Sequence, residues 1–132
     1  MLPKNTKIIA IDFDGTIVED AYPKIGKPML FAFDTLKQLQ SKGHRLILWT
    51  YRSGRKLQEA VDFCAKNDIE FYAVNKSYPE EILDDTMSRK IHADIFIDDR
   101  NFGDLPDWGN IYRAILNEEP KVSKKKKGWF GF

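Results

Sequence analysis

Two apolar runs in this sequence each end in a pair of aspartates. Residues 8–14 read IIAIDFD, and residues 95–99 read IFIDD. A strand that is apolar at consecutive positions is typical of a parallel sheet that is covered on both faces. Ligands of open α/β sheets bind at the carboxyl ends of the strands, so four carboxylates would meet in one crevice if these two strands are neighbours. So much negative charge in one place requires a cation, and the sequence therefore predicts a metal site.

Predicted strands and helices alternate along the chain. Residues 15–28 contain two glycines and two prolines, which favours a loop or a small hairpin over a helix. Helical crossovers between successive strands give an α/β fold with a single doubly wound parallel sheet. The strands are predicted over residues 7–13, 45–49, 69–74 and 94–97, and the helices over residues 29–42, from Ser53 onward and after Pro106, with a helical turn near residues 79–85.

The charge of the chain is unevenly distributed. Residues 121–132 hold five lysines and no acid, whereas residues 1–120 hold 16 basic and 20 acidic side chains. This acidic body disfavours a dedicated nucleic-acid-binding protein. We therefore predict one domain over residues 1–120 and a basic, aromatic tail over residues 121–132. A solvated tail is the simpler interpretation, and docking on an anionic membrane or on a partner is the alternative.

The remaining composition is that of a cytoplasmic protein. No apolar stretch approaches the 18 residues or so of a membrane span, and the first residues lack the apolar core of a signal peptide. Cys64 is the single cysteine, which excludes an internal disulfide and suits a reducing compartment. Its place on the apolar stripe of a predicted helix indicates a core residue.

The acidic strand ends resemble the motifs of the haloacid dehalogenase (HAD) superfamily. Residues 12–16 (DFDGT) are similar to its first motif, and residues 46–50 (LILWT) to its second. Lys90 can supply the third motif, and residues 98–99 (DD) the fourth, in the order that the family has. The resemblance implies a magnesium-dependent hydrolase of phosphate monoesters.

The resemblance also implies a role for each catalytic residue. Asp12 would be the nucleophile and would form an aspartyl phosphate, with Thr16 bracing the loop beside it. Asp14 would be the general acid and base. Thr50 would bind a phosphoryl oxygen, and Lys90 would neutralise charge on that group. Lys76, in the loop after the third predicted strand, is the alternative to Lys90.

The metal ligands follow from the same resemblance. Asp12 would bind Mg²⁺ through its side chain, Asp14 through its main-chain carbonyl and Asp98 through its carboxylate, while Asp99 would complete the acidic set. Zinc is disfavoured because both histidines, His44 and His92, lie outside the motifs. We expect both histidines to be structural or solvent-facing.

The spacing of the motifs leaves no room for a cap domain. Residues 15–49 separate Asp14 of the first motif from Thr50 of the second, and 39 residues separate Thr50 from Lys90. An open site admits water, which favours a phosphatase over a phosphomutase. Capless relatives often act on macromolecular phosphates or cover the site with a neighbouring subunit, so a homo-oligomer is an open alternative.

The substrate is a phosphorylated small molecule or macromolecule, and the sequence predicts only the rim that would contact it. Arg52, Asn75 and Lys76 follow strand ends and are the candidate substrate-binding residues, Arg52 because a guanidinium suits a second anionic group. The short spacing from Lys90 to Asp98 is similar to that of deoxyribonucleotidases of the superfamily, although no base-reading signature accompanies it.

Two rival functions remain. A non-catalytic phosphate-binding or scaffold module could have the same fold, although it would have no reason to keep so many uncompensated carboxylates. A response-regulator receiver also joins acids, threonine and lysine on a parallel sheet, but its phosphorylated acid follows the third strand. Here the third predicted strand ends in Val74 and Asn75.

Overall fold

A four-stranded parallel sheet forms the centre of the fold. The computed structural model describes residues 6–82, 91–100 and 104–116. The sheet has the order β3-β2-β1-β4, and each neighbouring pair is parallel. This confirms the α/β class and the single parallel sheet. The strands are β1 (Ile8–Ile11), β2 (Arg45–Leu48), β3 (Ala73–Val74) and β4 (Ile95–Ile97).

The register of the sheet brings three strand ends to one level. Ile11, the last residue of β1, pairs with Leu48 of β2 and with Ile97 of β4. The first and fourth strands are therefore adjacent, which is the condition on which the predicted metal site depends. The segments that follow β1, β2 and β4 all leave the sheet at the same edge.

Three helices cover one face of the sheet. They are α1 (Ala32–Ser41), α2 (Gly54–Lys66) and α3 (Trp108–Leu116), and none of the helices in the described ranges is both long and apolar enough to cross a bilayer. Alternation along β1 sends Ile9 and Ile11 into the core beneath these helices and Ala10 to the other face. The apolar core of this face is contributed by all three helices, through Ala32, Phe33, Leu36, Leu39, Ala60, Cys64, Trp108, Ile111 and Ile115.

The second face has a smaller core. Ala10, Ile47, Ala73 and Ile91 are buried there, together with partly buried side chains such as that of Trp49. We expected the two strands that end in acids to be buried on both faces, but the side chain of Phe96 in β4 remains 37% exposed. The reason is that β4 is an edge strand, and the core cluster on this face includes no side chain of β4.

One helix and one strand begin three or more residues later than the sequence predicts. Helix α1 begins at Ala32 rather than at residue 29, because the Met29 amide donates to the Ile17 carbonyl and Phe31 has a left-handed backbone (φ 66°). Strand β3 begins at Ala73 rather than at residue 69, because the Ile69 amide is still bound to the end of α2. In the described part of the predicted turn over 79–85, the Glu81 amide donates to the Tyr78 carbonyl.

The segment between β1 and α1 is the small hairpin that the glycines and prolines predicted. Val18 pairs with Pro28 in antiparallel orientation, and the Glu19 amide donates to the Lys27 carbonyl at 2.8 Å. We call this segment hairpin 17–29. Its tip lies near the end of β2, because the Pro23 and Lys24 carbonyls accept hydrogen bonds from the Arg52 side chain.

Trp108 joins the last helix to the loop that follows β1. Its side chain is 2% exposed, and its indole Nε1–H donates to the main-chain carbonyl of Thr16 at 3.0 Å. A buried carbonyl requires a partner, and here the partner comes from the far end of the sequence. Helix α3 therefore fixes the position of the loop that carries the first acidic motif.

We expect Trp108→Phe to destabilise the protein by about 1–3 kcal/mol, because it leaves the Thr16 carbonyl buried without a donor and removes apolar volume. Chemical denaturation measures the free energy of unfolding. Trp108→Phe unfolding at the wild-type denaturant midpoint would contradict the structural role of this hydrogen bond.

Candidate metal centre and active site

Three carboxylates from two neighbouring strand ends form the centre of the candidate site. Asp12 follows β1, and Asp98 and Asp99 follow β4; each offers an oxygen, and these oxygens lie within 4.8 Å of one another. The Asp12 amide donates to the Ile97 carbonyl at 2.9 Å and so extends the pairing of the two strands into the site. Asp12 is 8% exposed, and the other two are half-buried.

Thr16 links the two acidic segments. Its hydroxyl donates to Asp12 Oδ2 at 3.2 Å and accepts the Asp99 amide at 3.1 Å. The predicted bracing role of Thr16 is confirmed, and it extends to the second strand end. Gly15 makes the approach possible: its φ is +87°, and a Cβ placed there would clash with Asp99 Oδ2.

The electrostatics of this cluster call for a positive charge. Burial, the neighbouring charge of Asp98 and the proximity of Asp99 together raise the pKa of Asp12 to about 7. Asp99 Oδ1 is buried and has no hydrogen-bond partner among the residues that the structure describes. A cation bound between these oxygens would both supply the missing partner and reverse the mutual repulsion.

The donor set suits a hard divalent ion. Asp12, Asp98 and Asp99 offer only oxygen, which is the ligand type that Mg²⁺ and Ca²⁺ prefer. His44 lies elsewhere and is buried, its Nδ1 accepting the Lys7 amide, while His92 is exposed. Cys64 lies in the core of α2, where burial raises the pKa of its thiol to about 12. Neither histidine nor the cysteine belongs to the cluster of potential ligands.

The fourth predicted carboxylate, Asp14, lies apart from this cluster. Its two oxygens accept hydrogen bonds from Nε and Nη2 of Arg52, each at 2.8 Å, and its side chain is 1% exposed. The sequence predicted four carboxylates gathered around a cation. In the structure three are gathered, and the charge of the Asp14 side chain is balanced by an arginine instead.

Arg52 is not the exposed rim residue that the sequence predicted. It is 1% exposed, and the hydrogen bond to Asp14 raises the pKa of its guanidinium. The guanidinium also lies over the rings of Phe13 and Tyr22, at 5.2 Å and 5.0 Å from their centroids. A buried, saturated arginine cannot reach out to a second anionic group of a substrate.

Three further predicted residues, Thr50, Asn75 and Lys76, follow β2 and β3. The Thr50 amide donates to Asn75 Oδ1 at 2.8 Å, and the Thr50 hydroxyl accepts the Arg52 amide at 3.1 Å. The hydroxyl proton of Thr50 can thus be donated to an oxygen of a ligand. Asn75 ties two loops together through its carbonyl oxygen, Lys76 is half-buried beside it, and Lys90 lies outside the described residues.

Sequence reasoning missed the pairing of Asp14 with Arg52, although a signal for it exists. Ile11 and Leu48 are partners in adjacent strands, and Asp14 and Arg52 follow them by three and four residues. Two side chains of opposite charge that follow paired strand ends by similar numbers of residues can lie close together.

We expect the metal-free protein to lose stability as the pH rises. The pKa of Asp12 is about 7 in the folded state, against an ordinary value of 3.8, so the folded state favours the protonated carboxyl. The contribution of Asp12 to the free energy of unfolding is complete at low pH and is lost as the pH rises through about 7. Asp12→Asn removes the loss, so its melting temperature should exceed that of the wild type by on the order of 5 °C at alkaline pH.

Thermal unfolding in a chelator between about pH 5 and pH 8 makes this measurement. Asp104→Asn is the matched control, since Asp104 is exposed and the charge change is the same. Equal pH dependence in the wild type and in Asp12→Asn would contradict the electrostatic account of the cluster.

Comparison with known proteins shows that the chain is similar to a solved structure. No protein-family profile and no curated protein matches the chain. A solved structure of a conserved protein from Bacteroides thetaiotaomicron is 54% identical, with a TM-score of 0.81. The match covers 86% of this chain and 93% of the Bacteroides chain. This chain therefore belongs to the same family as that conserved Bacteroides protein.

Proposed function

We propose that this protein is a magnesium-dependent phosphomonoester hydrolase that acts through an aspartyl phosphate at Asp12. The observation that supports this most is the convergence of Asp12, Asp98 and Asp99 at two adjacent strand ends, where one buried oxygen of Asp99 has no partner within the described ranges. Thr50 belongs to the same edge, because the neighbouring Trp49 amide donates to the Ile11 carbonyl. The HAD-like order of the motifs agrees with this arrangement.

Asp12, Asp98 and Asp99 would hold the ion, with the main-chain carbonyl of Asp14 as a further ligand. A bound Mg²⁺ supplies positive charge that offsets the repulsion between a phosphoryl group and the carboxylates. Cation binding also favours the ionised form of Asp12, the form that is needed for nucleophilic attack. The raised pKa of Asp12 therefore fits a residue whose reactive form depends on the ion.

The first half of the reaction transfers the phosphoryl group to the protein. An Asp12 carboxylate oxygen forms a bond to phosphorus, and the bond between phosphorus and the ester oxygen breaks. The leaving oxygen takes a proton from the carboxyl of Asp14 and departs as the alcohol. The Thr50 hydroxyl donates to a phosphoryl oxygen, and a lysine, Lys90 or Lys76, stabilises the negative charge.

The second half of the reaction restores the protein. The Asp14 carboxylate takes a proton from water as the water oxygen forms a bond to phosphorus. The bond between phosphorus and Asp12 breaks, and inorganic phosphate leaves. Asp12 is again a carboxylate and Asp14 again carries a proton, so the cycle is balanced.

The surroundings of the site favour hydrolysis of an accessible phosphate. The segment between β1 and β2 contains only hairpin 17–29 and α1, and neither is large enough to be a cap domain. The substrate is therefore a phosphorylated small molecule or a phosphate on a macromolecule. A reducing cytoplasm agrees with the buried, unpaired Cys64.

The pairing of Asp14 with Arg52 favours a second candidate, a phosphate-binding module without turnover. Both oxygens of Asp14 already accept hydrogen bonds from a guanidinium, which is the arrangement of a structural ion pair. Such a module would bind phosphate at the cation without forming a covalent bond. The two candidates differ in one observable, the release of phosphate from an ester.

We expect magnesium-dependent release of phosphate from a panel of sugar phosphates, nucleotides and phosphopeptides. Asp12→Asn should lower the rate at least on the order of 10³-fold, because it removes the nucleophile. Asp14→Asn should lower it about 10²-fold or more and should accumulate phosphoprotein, because water is no longer activated. Asp104→Asn is the control and should keep the wild-type rate. Phosphate binding without release by the wild type would favour the binding module.

We expect Mg²⁺ to raise the melting temperature of the wild type. At about tenfold excess over its dissociation constant, an ion bound only by the folded state contributes about 1.4 kcal/mol. Asp98→Asn removes a ligand and should abolish the shift, while Asp104→Asn should retain it. An equal Mg²⁺ response in all three proteins would show that the ion binds elsewhere.

A further inference from the structure

The guanidinium of Arg52 has a protein partner for each of its five N–H groups. Nε and Nη2 donate to the two oxygens of Asp14 at 2.8 Å. The second N–H of Nη2 donates to the Lys24 carbonyl at 3.0 Å, and Nη1 donates to the carbonyls of Pro23 and Lys56 at 3.4 Å and 3.3 Å. An arginine that is saturated in this way has one orientation only.

These contacts connect three parts of the molecule. Asp14 follows β1, Lys56 lies in the first turn of α2, and Pro23 and Lys24 form the tip of hairpin 17–29. The ring of Tyr22 adds a contact between the hairpin and the face of the guanidinium. Arg52 is therefore the group through which the hairpin tip reaches Asp14.

Stability alone is a poor explanation for this network. Removing two charges from water costs several kcal/mol, and apolar side chains of similar volume often replace a buried ion pair without loss. What an apolar replacement cannot do is fix the plane of a carboxylate. The bidentate contact with Arg52 does so, since both oxygens of Asp14 are held at 2.8 Å.

The pairing leaves Asp14 able to act. An ionised carboxylate has about four lone-pair sites, and Arg52 occupies one on each oxygen. The remaining lone pairs point in directions that the guanidinium determines. General acid–base catalysis requires such alignment, because proton transfer depends on a short contact between the carboxyl oxygen and its partner.

We propose that Arg52 is the positioning residue for Asp14 and that it couples the orientation of this carboxylate to hairpin 17–29. This inference rests on the proposed function, since it assigns Asp14 to proton transfer. Arg52 contacts neither the phosphate nor the ion; it acts through Asp14. Displacement of the hairpin tip would remove two of the five contacts that hold the guanidinium, and the carboxylate would lose its fixed direction.

Two substitutions separate charge from geometry. Arg52→Lys keeps a positive charge, but one ammonium cannot bind both oxygens of Asp14 and three carbonyls at once. Arg52→Gln removes the charge as well. Arg55→Gln is the matched control, because Arg55 is an exposed arginine in the first turn of α2. Tyr22→Ala weakens the hairpin contact while leaving Arg52 and Asp14 intact, and it serves if the Arg52 variants do not fold.

The first measurement is hydrogen exchange of the hairpin amides, which needs no activity. The Glu19 and Met29 amides are bonded within or beside the hairpin, to the carbonyls of Lys27 and Ile17. We expect their exchange to accelerate on the order of tenfold or more in Arg52→Lys and Arg52→Gln, and not in Arg55→Gln. Wild-type exchange rates in both Arg52 variants would overturn the coupling to the hairpin.

The second measurement is rapid-quench kinetics with Mg²⁺ and the ester that the wild type hydrolyses fastest. We expect kcat to fall about tenfold or more in Arg52→Lys, with slower breakdown of the phosphoprotein and KM within about twofold of the wild type. A raised KM with unchanged kcat would overturn the proposal and make Arg52 a substrate-binding residue. Unchanged kinetics in both Arg52 variants would also overturn it.

The failure of the proposed function looks different. In that case the wild type itself releases no phosphate and forms no phosphoprotein, and the positioning role falls with it. If the wild type releases phosphate and both Arg52 variants have wild-type kinetics, the proposed function stands and the role of Arg52 is wrong.

Discussion

The pairing of β1 with β4 is the constraint on which the candidate site depends. Ile11 lies opposite Ile97, and the Asp12 amide continues the ladder by donating to the Ile97 carbonyl. This register places Asp12 beside Asp98 and Asp99. The Thr16 hydroxyl stabilises the arrangement because it donates to Asp12 and accepts the Asp99 amide. A shift of one residue would turn the side chains of β4 to the opposite face and separate the carboxylates.

The acidic side chains of the site fall into two groups: in the balanced part an arginine offsets the negative charge, and in the unbalanced part no such ion pair does so. Asp14 has Arg52, which is buried with it and saturated by carbonyls of the hairpin and α2. Within the described residues no ion pair joins a lysine or arginine to Asp12, Asp98 or Asp99, and burial together with the charge of Asp98 raises the pKa of Asp12. Repulsion of this kind lowers stability, and it persists in proteins where a ligand relieves it. We infer that the unbalanced part is where the ion binds and that the balanced part orients the residue that moves protons.

Much of this arrangement was accessible from the sequence. Apolar runs ending in acids predicted strands β1 and β4, their adjacency and the clustering of Asp12 with Asp98 and Asp99. What escaped prediction depended on contacts between distant segments. The start of α1 is delayed by a backbone bond from Met29 to Ile17, and the partner of Arg52 is set by how the ends of β1 and β2 align. The hydrophobic pattern within a segment does not predict such contacts, because each contact forms only once the sheet is assembled.

The central claim is that Asp12, Asp98 and Asp99 together bind one divalent cation. Crystals of the protein soaked with Mn²⁺, which stands in for Mg²⁺ and scatters anomalously, test this most directly. We expect one strong anomalous peak within coordination distance of the carboxylates of Asp12 and Asp98. The same peak should be absent from crystals of Asp98→Asn. Crystals that bind Mn²⁺ only at other positions, with the three carboxylates unchanged, would contradict it.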